Sequence, residues 1–584
     1  MANNKGFLLV VQETAEQPLS IDGFQHVKQY ESATLFADDG CRNTLITTDA
    51  NGISVYLGDR HLHADEQDHT LDPHEWQSTI HTGTLVSFDT QHKQLKIQCD
   101  FMGSETVWYA QKGQQFWVSN RLENFSRFGA FEKDWAGVYT FLASAISVAE
   151  RTPLLGVQQT CPLQTIEFRN GKLNITTSSA WQSNPECNVS SALHQIDQRL
   201  HDVLMRSPNA FLMLSAGWDS RVLLSSNRER IVGTYTHGEL KSREVEIAYK
   251  LGAPLQKGMT FNPLEDTHFG AETALQMLSS LGFALFPHWY HASHYLAQFN
   301  DAPLSAGLFV EHLSGHYGIN SLSSGTNKLK LLFNSMVRPG VYDKISNEQA
   351  ISMLTPLLSD AFKTHPWCWR QDVDYQALQK QFSDDTAACL KGYVDSGTNG
   401  LQELSERFKL AHAHRQFFVL QTKSAATTLG YHHPYVDSVL AQQVLQLKYR
   451  HRVNYKVSQY IVKQQHSDLC SLPMAATLIN AGRPILMQEA SRLVRIAGEK
   501  LISKLKGQTV KGLGWNNFQF LHQQQSFHEY VDLLVDDMWD KPAMHRFIEQ
   551  YGQANGDAYS MLDMLTKMVT LDFKLHPNAY EAAR

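Results

Sequence analysis

The stretch Phe211-Leu212-Met213-Leu214-Ser215-Ala216-Gly217-Trp218-Asp219-Ser220-Arg221 joins a short apolar run to small and polar residues. The run 211–214 predicts a strand that is buried on both faces. The small residues 215–217 let the backbone approach a ligand closely, and the residues after them predict the start of a helix. Free N–H groups and the helix dipole point to the same place in such a turn, so the sequence predicts an anion site there.

The side chains of this turn indicate phosphate together with a divalent cation. Ser215 and Ser220 can donate hydroxyl hydrogen bonds to phosphate, whereas Asp219 can only help through a bound Mg²⁺. Arg221 follows at once and is a cation that could offset the charge of the anion. The chain contains no Gly-Lys-Ser/Thr sequence, so a Walker-type phosphate loop is excluded.

Outside this stretch the chain divides into two regions of different pattern. Residues 1 to about 185 contain short alternating runs separated by turn signals, and 168–173 predicts a hairpin with a type I′ turn at Asn170-Gly171. The polar residues after Trp181 predict a linker. From residue 190 onward, strands alternate with helices, which predicts a parallel sheet covered on both faces. The chain is predicted to be mostly helical after about residue 340.

Composition excludes several classes of function. At 584 residues the chain is too long for one core, and we expect two domains, 1–185 and 190–584. The net charge of −7 disfavours a nucleic-acid partner. No apolar run is long enough to span a bilayer, and the apolar N-terminal run lacks the features of a signal peptide. Seven scattered cysteines fit a reducing cytoplasm.

Ser215-Ala216-Gly217-Trp218-Asp219-Ser220 resembles the pyrophosphate-loop motif of the asparagine synthetase family, usually Ser-Gly-Gly-x-Asp-Ser. Further segments resemble family elements in the same order along the chain. They are Phe116–Arg121 and Thr152–Val157 of the glutaminase-like domain, Thr234–His237 with the helix after Glu244, Gly307–Tyr317, and His432–Asp437.

The resemblance implies an α/β fold in two parts. The first is an N-terminal αββα sandwich like that of Ntn hydrolases. The second is a C-terminal parallel-sheet domain of the adenine-nucleotide α-hydrolase (HUP) type with a helical extension. It also implies ATP and Mg²⁺ as cofactors. The residues implied to bind the nucleotide are Leu214, Ser215, Ala216, Gly217, Asp219, Ser220, Tyr235, Thr236 and Gly307. Those implied to hold the metal are Asp219 and Glu311, and those implied in catalysis are Lys456, Glu311 and Arg221.

The chain departs from the family at two positions that matter for chemistry. Position 2 is Ala, where glutamine-hydrolysing members carry the nucleophilic Cys, so we expect no glutaminase activity. Leu308 stands where the family has a Glu that orients the amine or moves a proton. His312 or His316 could replace that base. For the cation that stabilises pyrophosphate, Lys456 competes with Arg452.

The resemblance therefore implies a cytoplasmic ligase that adenylates a carboxylate and passes the acyl group to an amine, as β-lactam synthetase and lasso-peptide cyclases are laid out. The acid could be an amino or peptide acid or an uronic acid of a saccharide. The alternative is a partner protein that binds nucleotide without turnover. A homodimer is compatible with the sequence.

A basic amphipathic helix is predicted over 486–505, with Leu486, Ala490, Leu493, Ala497, Leu501 and Leu505 on one face. Such a helix either touches an anionic lipid surface or a polyanionic substrate, or packs on its own domain.

Overall fold

The computed structural model describes residues 4–12, 21, 23–38, 44–59, 82–178, 187–265, 267–298, 302–318, 333–334, 342–359, 368, 373–506, 518–523, 525–554 and 557–582. The predicted linker after Trp181 lies mostly outside these residues.

The strands are β1 (Phe7–Gln12), β2 (His26–Gln29), β3 (Ala33–Ala37), β4 (Thr44–Thr48), β5 (Gly52–Leu57), β6 (Thr84–Asp89), β7 (Gln94–Cys99), β8 (Trp108–Lys112), β9 (Gln115–Ser119), β10 (Val157–Gln159), β11 (Gln164–Arg169), β12 (Lys172–Thr177), β13 (Ala210–Met213), β14 (Ile231–Gly238), β15 (Met259–Pro263), β16 (Leu304–Ser305) and β17 (Tyr431–His432).

The helices are α1 (Glu123–Gly129), α2 (Trp135–Ser144), α3 (Val189–Arg206), α4 (Trp218–Ser226), α5 (Arg243–Gly252), α6 (Ala271–Leu281), α7 (Pro287–Leu296), α8 (Glu311–Ser314), α9 (Asn347–Ser359), α10 (Tyr375–Asp395), α11 (Leu401–Lys409), α12 (Val419–Ala425), α13 (Ser438–Gln446), α14 (Tyr449–Arg452), α15 (Lys456–Gln465), α16 (Ile485–Lys506), α17 (Ser526–Leu533), α18 (Lys541–Gln553), α19 (Ala558–Leu575) and α20 (Pro577–Ala582). A π-helix, Leu410–Phe418, joins α11 to α12.

The N-terminal region is a sandwich of two antiparallel sheets. Their strand orders are β10-β8-β9-β1-β3-β2 and β12-β11-β7-β6-β5-β4. Side chains of β1 alternate between two hydrophobic cores: Phe7 packs in the core between the sheets, and Leu8 packs in the core on the outer side. The predicted hairpin is confirmed, because Asn170 and Gly171 both have the positive φ that a type I′ turn requires.

The third sheet is parallel, with the order β15-β14-β13-β16-β17. Its two faces are covered, since Leu212 packs in one hydrophobic core and Phe211 in another on the opposite side. The predicted parallel sheet is therefore confirmed. The chain runs outward from β13 in one direction to β14 and β15, and then returns to place β16 on the other side of β13. The strand order reverses between β13 and β16, and ligands of open α/β sheets bind outside the carboxyl ends of strands at such a point.

The region after residue 340 is mostly helical, as predicted, with the short strand β17 completing the parallel sheet. Its last long helix, α19, packs on the outer face of the first sheet, in the same core as α1 and α2. A hydrogen bond from Ser126 Oγ to the carbonyl of Lys574 (2.6 Å) fastens this contact. None of the helices in the described part of the chain is long and apolar enough to cross a membrane.

Candidate active site

The turn 214–217 lies at the reversal of strand order, directly after β13. Leu214 donates its N–H to the carbonyl of Tyr235 (2.8 Å), which holds the start of the turn beside β14. Gly217 precedes α4 with extended backbone, and no side chain caps the nine-residue helix. The first amides of α4 therefore lack a side-chain acceptor, which is the condition for an anion to bind at a helix N-terminus.

The amides before the helix have partners within the protein. The backbone N–H of Ser215 donates to Ser220 Oγ (3.0 Å), and that of Gly217 donates to Ser215 Oγ (3.2 Å). The N–H of Ala216 donates to Glu244 Oε1 at the start of α5 (2.6 Å). The two hydroxyls are also 3.0 Å apart. The turn is thus fixed in shape by its own serines and by Glu244.

Gly307 brings the segment after β16 against the turn. A Cβ atom at this position would lie 2.7 Å from Asp219 Cβ and 2.8 Å from the nitrogen of Ser220. No side chain larger than hydrogen fits without displacing the backbone, so the predicted role of Gly307 at the site is matched by a close approach of the two segments.

Asp219 lies at this contact, and its charge acts on Glu311 at the start of α8. Asp219 Oδ1 and Glu311 Oε2 are both buried and have no hydrogen-bond partner among the described residues. Burial raises the pKa of Asp219 to about 7. Burial and then the charge of Asp219 raise the pKa of Glu311 well above its usual value. Ionising both of these carboxyls costs free energy when no cation is bound. A cation between the two carboxylates removes that free-energy cost.

The donor set fits Mg²⁺. Among the described residues no group of three or more His, Cys, Asp and Glu side chains is arranged to hold a metal ion, so the protein offers two carboxylates here and no closed cage. Mg²⁺ is commonly held by one or two carboxylates together with water and substrate phosphate. The orphaned oxygens of Asp219 and Glu311 meet that requirement.

A histidine that the sequence interpretation did not include faces Glu311. His414 Nε2 lies 3.3 Å from Glu311 Oε2, and His414 Nδ1 lies 2.7 Å from the hydroxyl of Tyr317. Burial and then the neighbouring histidines lower the pKa of His414 well below its usual value, so the ring is neutral. His414 belongs to the π-helix, an element that is rare and frequently marks functional sites.

The two histidines considered in place of the family Glu lie differently. His312 is buried, with neither ring nitrogen hydrogen-bonded among the described residues, and burial lowers its pKa to about 3. His316 is exposed. Leu308 packs against the hydrophobic cores on both sides of the parallel sheet and supplies no polar atom. Of the three histidines, only His414 is observed in contact with Glu311.

Aromatic rings enclose the site. Tyr435 is fully buried and donates its hydroxyl to the carbonyl of Asp219 (3.2 Å). The ring of Trp218 turns into the hydrophobic core and stacks on Tyr455, with centroids 6.4 Å apart. Trp218 therefore supports the turn from behind. Such enclosure limits the access of water.

The three candidate cations have different surroundings. Arg221 is fully buried, and its guanidinium donates to four carbonyl oxygens, those of Leu469, Leu472, Pro473 and Ala216. Arg221 therefore clamps the back of the turn. A catalytic cation, the role predicted for Arg221, would instead face the phosphates. Arg452 forms a buried, bidentate ion pair with Glu406. Lys456 is exposed at the start of α15, next to Tyr455, and its ammonium donates to the carbonyl of Arg450 (2.8 Å).

Two of the residues implied to bind the nucleotide lie on β14. Tyr235 is 1% exposed and its hydroxyl accepts a hydrogen bond from Asn262 Nδ2 (3.2 Å). Thr236, next along the strand, is buried beside Phe261 of β15. Both residues lie at the carboxyl end of a strand adjacent to the turn, which is where the resemblance puts them.

Glu244, Tyr317 and Tyr435 lie in segments whose sequence resembles the family, but they were not predicted as site residues, and His414 was not predicted at all. Glu244 carried a signal, since it opens the helix after the next parallel strand. No sequence signal indicated His414, because it lies more than a hundred residues from Glu311 in sequence and the residues around it are typical of an ordinary helix.

Comparison of the sequence with protein-family models and with curated proteins finds no match. The resemblance to the asparagine synthetase family therefore rests on sequence motifs, and the proposed function rests on the geometry of the site.

Proposed function

We propose that this protein is an ATP-dependent, AMP-forming ligase that activates a carboxylate and joins it to an amine. The observation that carries the proposal is the pair of buried carboxylate oxygens without a hydrogen bond, Asp219 Oδ1 and Glu311 Oε2, beside the uncapped N-terminus of α4 at the reversal of strand order. The proposal includes the finer fold assignment, an Ntn-hydrolase-like sandwich followed by a HUP-like nucleotide domain.

In the proposed complex the phosphates of ATP lie against the first amides of α4, and the nucleoside lies along the ends of β14 and β16. The turn 214–217 does not have to rearrange for this, because Ser215, Ser220 and Glu244 already fix it. Gly307 keeps the opposite wall flat. Lys456 is the cation proposed to reach the pyrophosphate, since it starts a helix whose preceding residue stacks on Trp218.

Asp219 and Glu311 are proposed to hold Mg²⁺, which when bound neutralises charge on the pyrophosphate. Binding of a cation lowers the pKa of both carboxyls, so both are ionised at neutral pH in the working enzyme.

Tyr317, His414 and Glu311 are proposed to handle the proton released by the amine. If the hydroxyl of Tyr317 donates to His414 Nδ1, then Nε2 carries the hydrogen that faces Glu311 at 3.3 Å. This arrangement holds Glu311 in one orientation. It also offers a path for a proton at a site where Leu308 replaces the acidic residue of the family.

The test is product analysis. With ATP, Mg²⁺ and a panel of amino, peptide and uronic acids, the protein should release AMP and pyrophosphate when the correct acid is present. Asp219→Asn should lose at least about 100-fold in turnover, as expected when charge stabilisation in the transition state is removed. Asp468→Asn, an exposed carboxylate away from the site, is the matched control. Formation of ADP and phosphate would contradict the proposal.

A second candidate is a cytoplasmic partner protein that binds nucleotide without turnover. Two observations favour it: the N–H of Ala216 is already bonded to Glu244, and Leu308 cannot move a proton. Calorimetry separates the two candidates. Tight ATP binding that needs Asp219, with no product from any acid and amine tried, supports the partner protein.

A further inference from the structure

Helix α16 attaches to the rest of the chain by its polar side. Gln488 donates to the carbonyl of Asn480 (2.7 Å), and Arg495 donates to the carbonyl of Ala476 (2.8 Å). Glu499 accepts from Arg243 of α5 (2.5 Å). These contacts turn Gln488, Arg495 and Glu499 toward the rest of the chain, the reverse of an ordinary surface helix.

The opposite side of α16 is apolar and faces solvent. We call it the apolar face; it consists of Leu486, Met487, Ala490, Leu493, Val494, Ala497, Leu501 and Leu505. The exposed fractions of its large side chains run from 47% for Leu493 to 75% for Leu505. At 3.6 residues per turn these positions cover an arc of about 120°. This face is therefore exposed, while the helix packs on its own domain through its polar side.

The exposed charges along the helix are basic. Lys500 is exposed at the edge of the apolar face and Lys504 is exposed within its arc, and neither has a carboxylate partner among the described residues; Arg483 is exposed just before the helix. The two acidic residues of α16 are engaged: Glu489 pairs with Arg492, and Glu499 pairs with arginines on either side. The rim of the apolar face is thus positive on a protein whose net charge is −7.

We propose that the apolar face of α16 docks on an anionic lipid bilayer, with the helix lying in the plane of the interface. An apolar arc with lysines beside it matches a surface of acyl chains and acidic headgroups, and lysine stems can lie along the apolar layer while their charges stay in water. A second copy of the chain fits less well, because it would present the same basic rim. The arc is also wider than the seam that one partner helix covers.

The proposal is tested by sedimentation of the full chain with vesicles of phosphatidylcholine alone and of phosphatidylcholine with 30% phosphatidylglycerol. Binding is expected to the anionic vesicles, and it should weaken in 0.5 M NaCl. Lys500→Gln with Lys504→Gln should weaken binding about 25-fold, near fivefold for each lysine. Leu501→Glu with Leu505→Glu should abolish it.

Leu155→Glu is the control, because Leu155 is 55% exposed on the N-terminal sandwich and should not affect binding. The positions changed on α16 are exposed, so melting temperatures should stay within a degree or two of the parent. Failure of the parent protein to bind anionic vesicles would overturn the proposal, as would equal binding by all variants. A concentration-dependent dimer that Leu501→Glu with Leu505→Glu dissociates, without vesicle binding, would assign the face to self-association instead.

Discussion

Replacement of Asp219 by Asn should stabilise the protein at alkaline pH when no divalent cation is present. Burial raises the pKa of Asp219 from 3.8 to about 7. Between these pH values the folded protein binds more protons than the unfolded chain, so this carboxyl makes the stability fall as the pH rises from about 4 through 7. Above pH 7 the full penalty is present, and Asp219→Asn removes it.

The magnitude follows from the pKa difference. A shift of about three units corresponds to roughly 4 kcal/mol if the carboxyl titrates alone. Asp219 is partly open to solvent, and the proton is shared with Glu311, so we expect about 2 kcal/mol. Addition of Mg²⁺ should reverse the order of the two proteins, because only the parent keeps both carboxylates and gains the free energy of binding.

The assay is thermal unfolding of parent and Asp219→Asn at pH 5, 6, 7 and 8, in EDTA and in 5 mM Mg²⁺. The difference between the proteins isolates this carboxyl from the buried histidines, which titrate in both. Asp219→Asn should melt higher in EDTA at pH 8, and the difference should be smaller at pH 5, where the carboxyl of the folded protein is protonated but that of the unfolded chain is already mostly ionised. If it melts lower than the parent in EDTA at every pH, or if Mg²⁺ raises both proteins equally, the assignment of a cation site to Asp219 and Glu311 is refuted.

Three further substitutions test the surroundings of the site. Arg452→Met leaves Glu406 buried without its partner and should cost about 3 to 5 kcal/mol of stability. The measurement is denaturant unfolding of the C-terminal region. The double variant Arg452→Met, Glu406→Leu should recover most of the lost stability. Gly307→Ala puts a methyl group 2.7 Å from the Cβ of Asp219 and against the backbone of the turn, so it should lower both AMP-forming turnover, by about 100-fold, and the melting temperature. Asp59→Asn weakens its 2.6 Å contact with His432 and should cost about 1.5 to 3 kcal/mol, with faster hydrogen exchange in 431–436 as the readout.

Local patterns were enough to predict the elements that carry the site. Four apolar residues, a run of small residues and a helix start predicted β13, the turn and α4. The Asn170-Gly171 dipeptide predicted its hairpin, because only a turn with positive φ at both residues joins two strands so tightly. The hydrophobic periodicity predicted six of the eight residues of the apolar face of α16, all except Met487 and Val494.

Contacts across the fold could not be predicted from such patterns. Arg221 was expected near the phosphates because it follows the turn, yet the helical rotation between 219 and 221 directs its side chain to the carbonyls of 469–473. The neighbourhood of Glu311 and His414 depends on how α8 packs on the π-helix. Likewise, the periodicity of hydrophobic residues predicts that α16 has an apolar side. It does not predict which side of the helix is covered by the rest of the chain. These outcomes are set by tertiary packing.

The N-terminal sandwich holds the segment that leads to Tyr435 at the site. Asp59 accepts a hydrogen bond from the backbone N–H of His433 (2.8 Å) and contacts His432, whose other ring nitrogen bonds to Ser207. The same segment leads within three residues to Tyr435, which holds the carbonyl of Asp219. These contacts link the sandwich to the carbonyl of Asp219, so a change at Asp59 should disturb the site through the packing of residues 432–435.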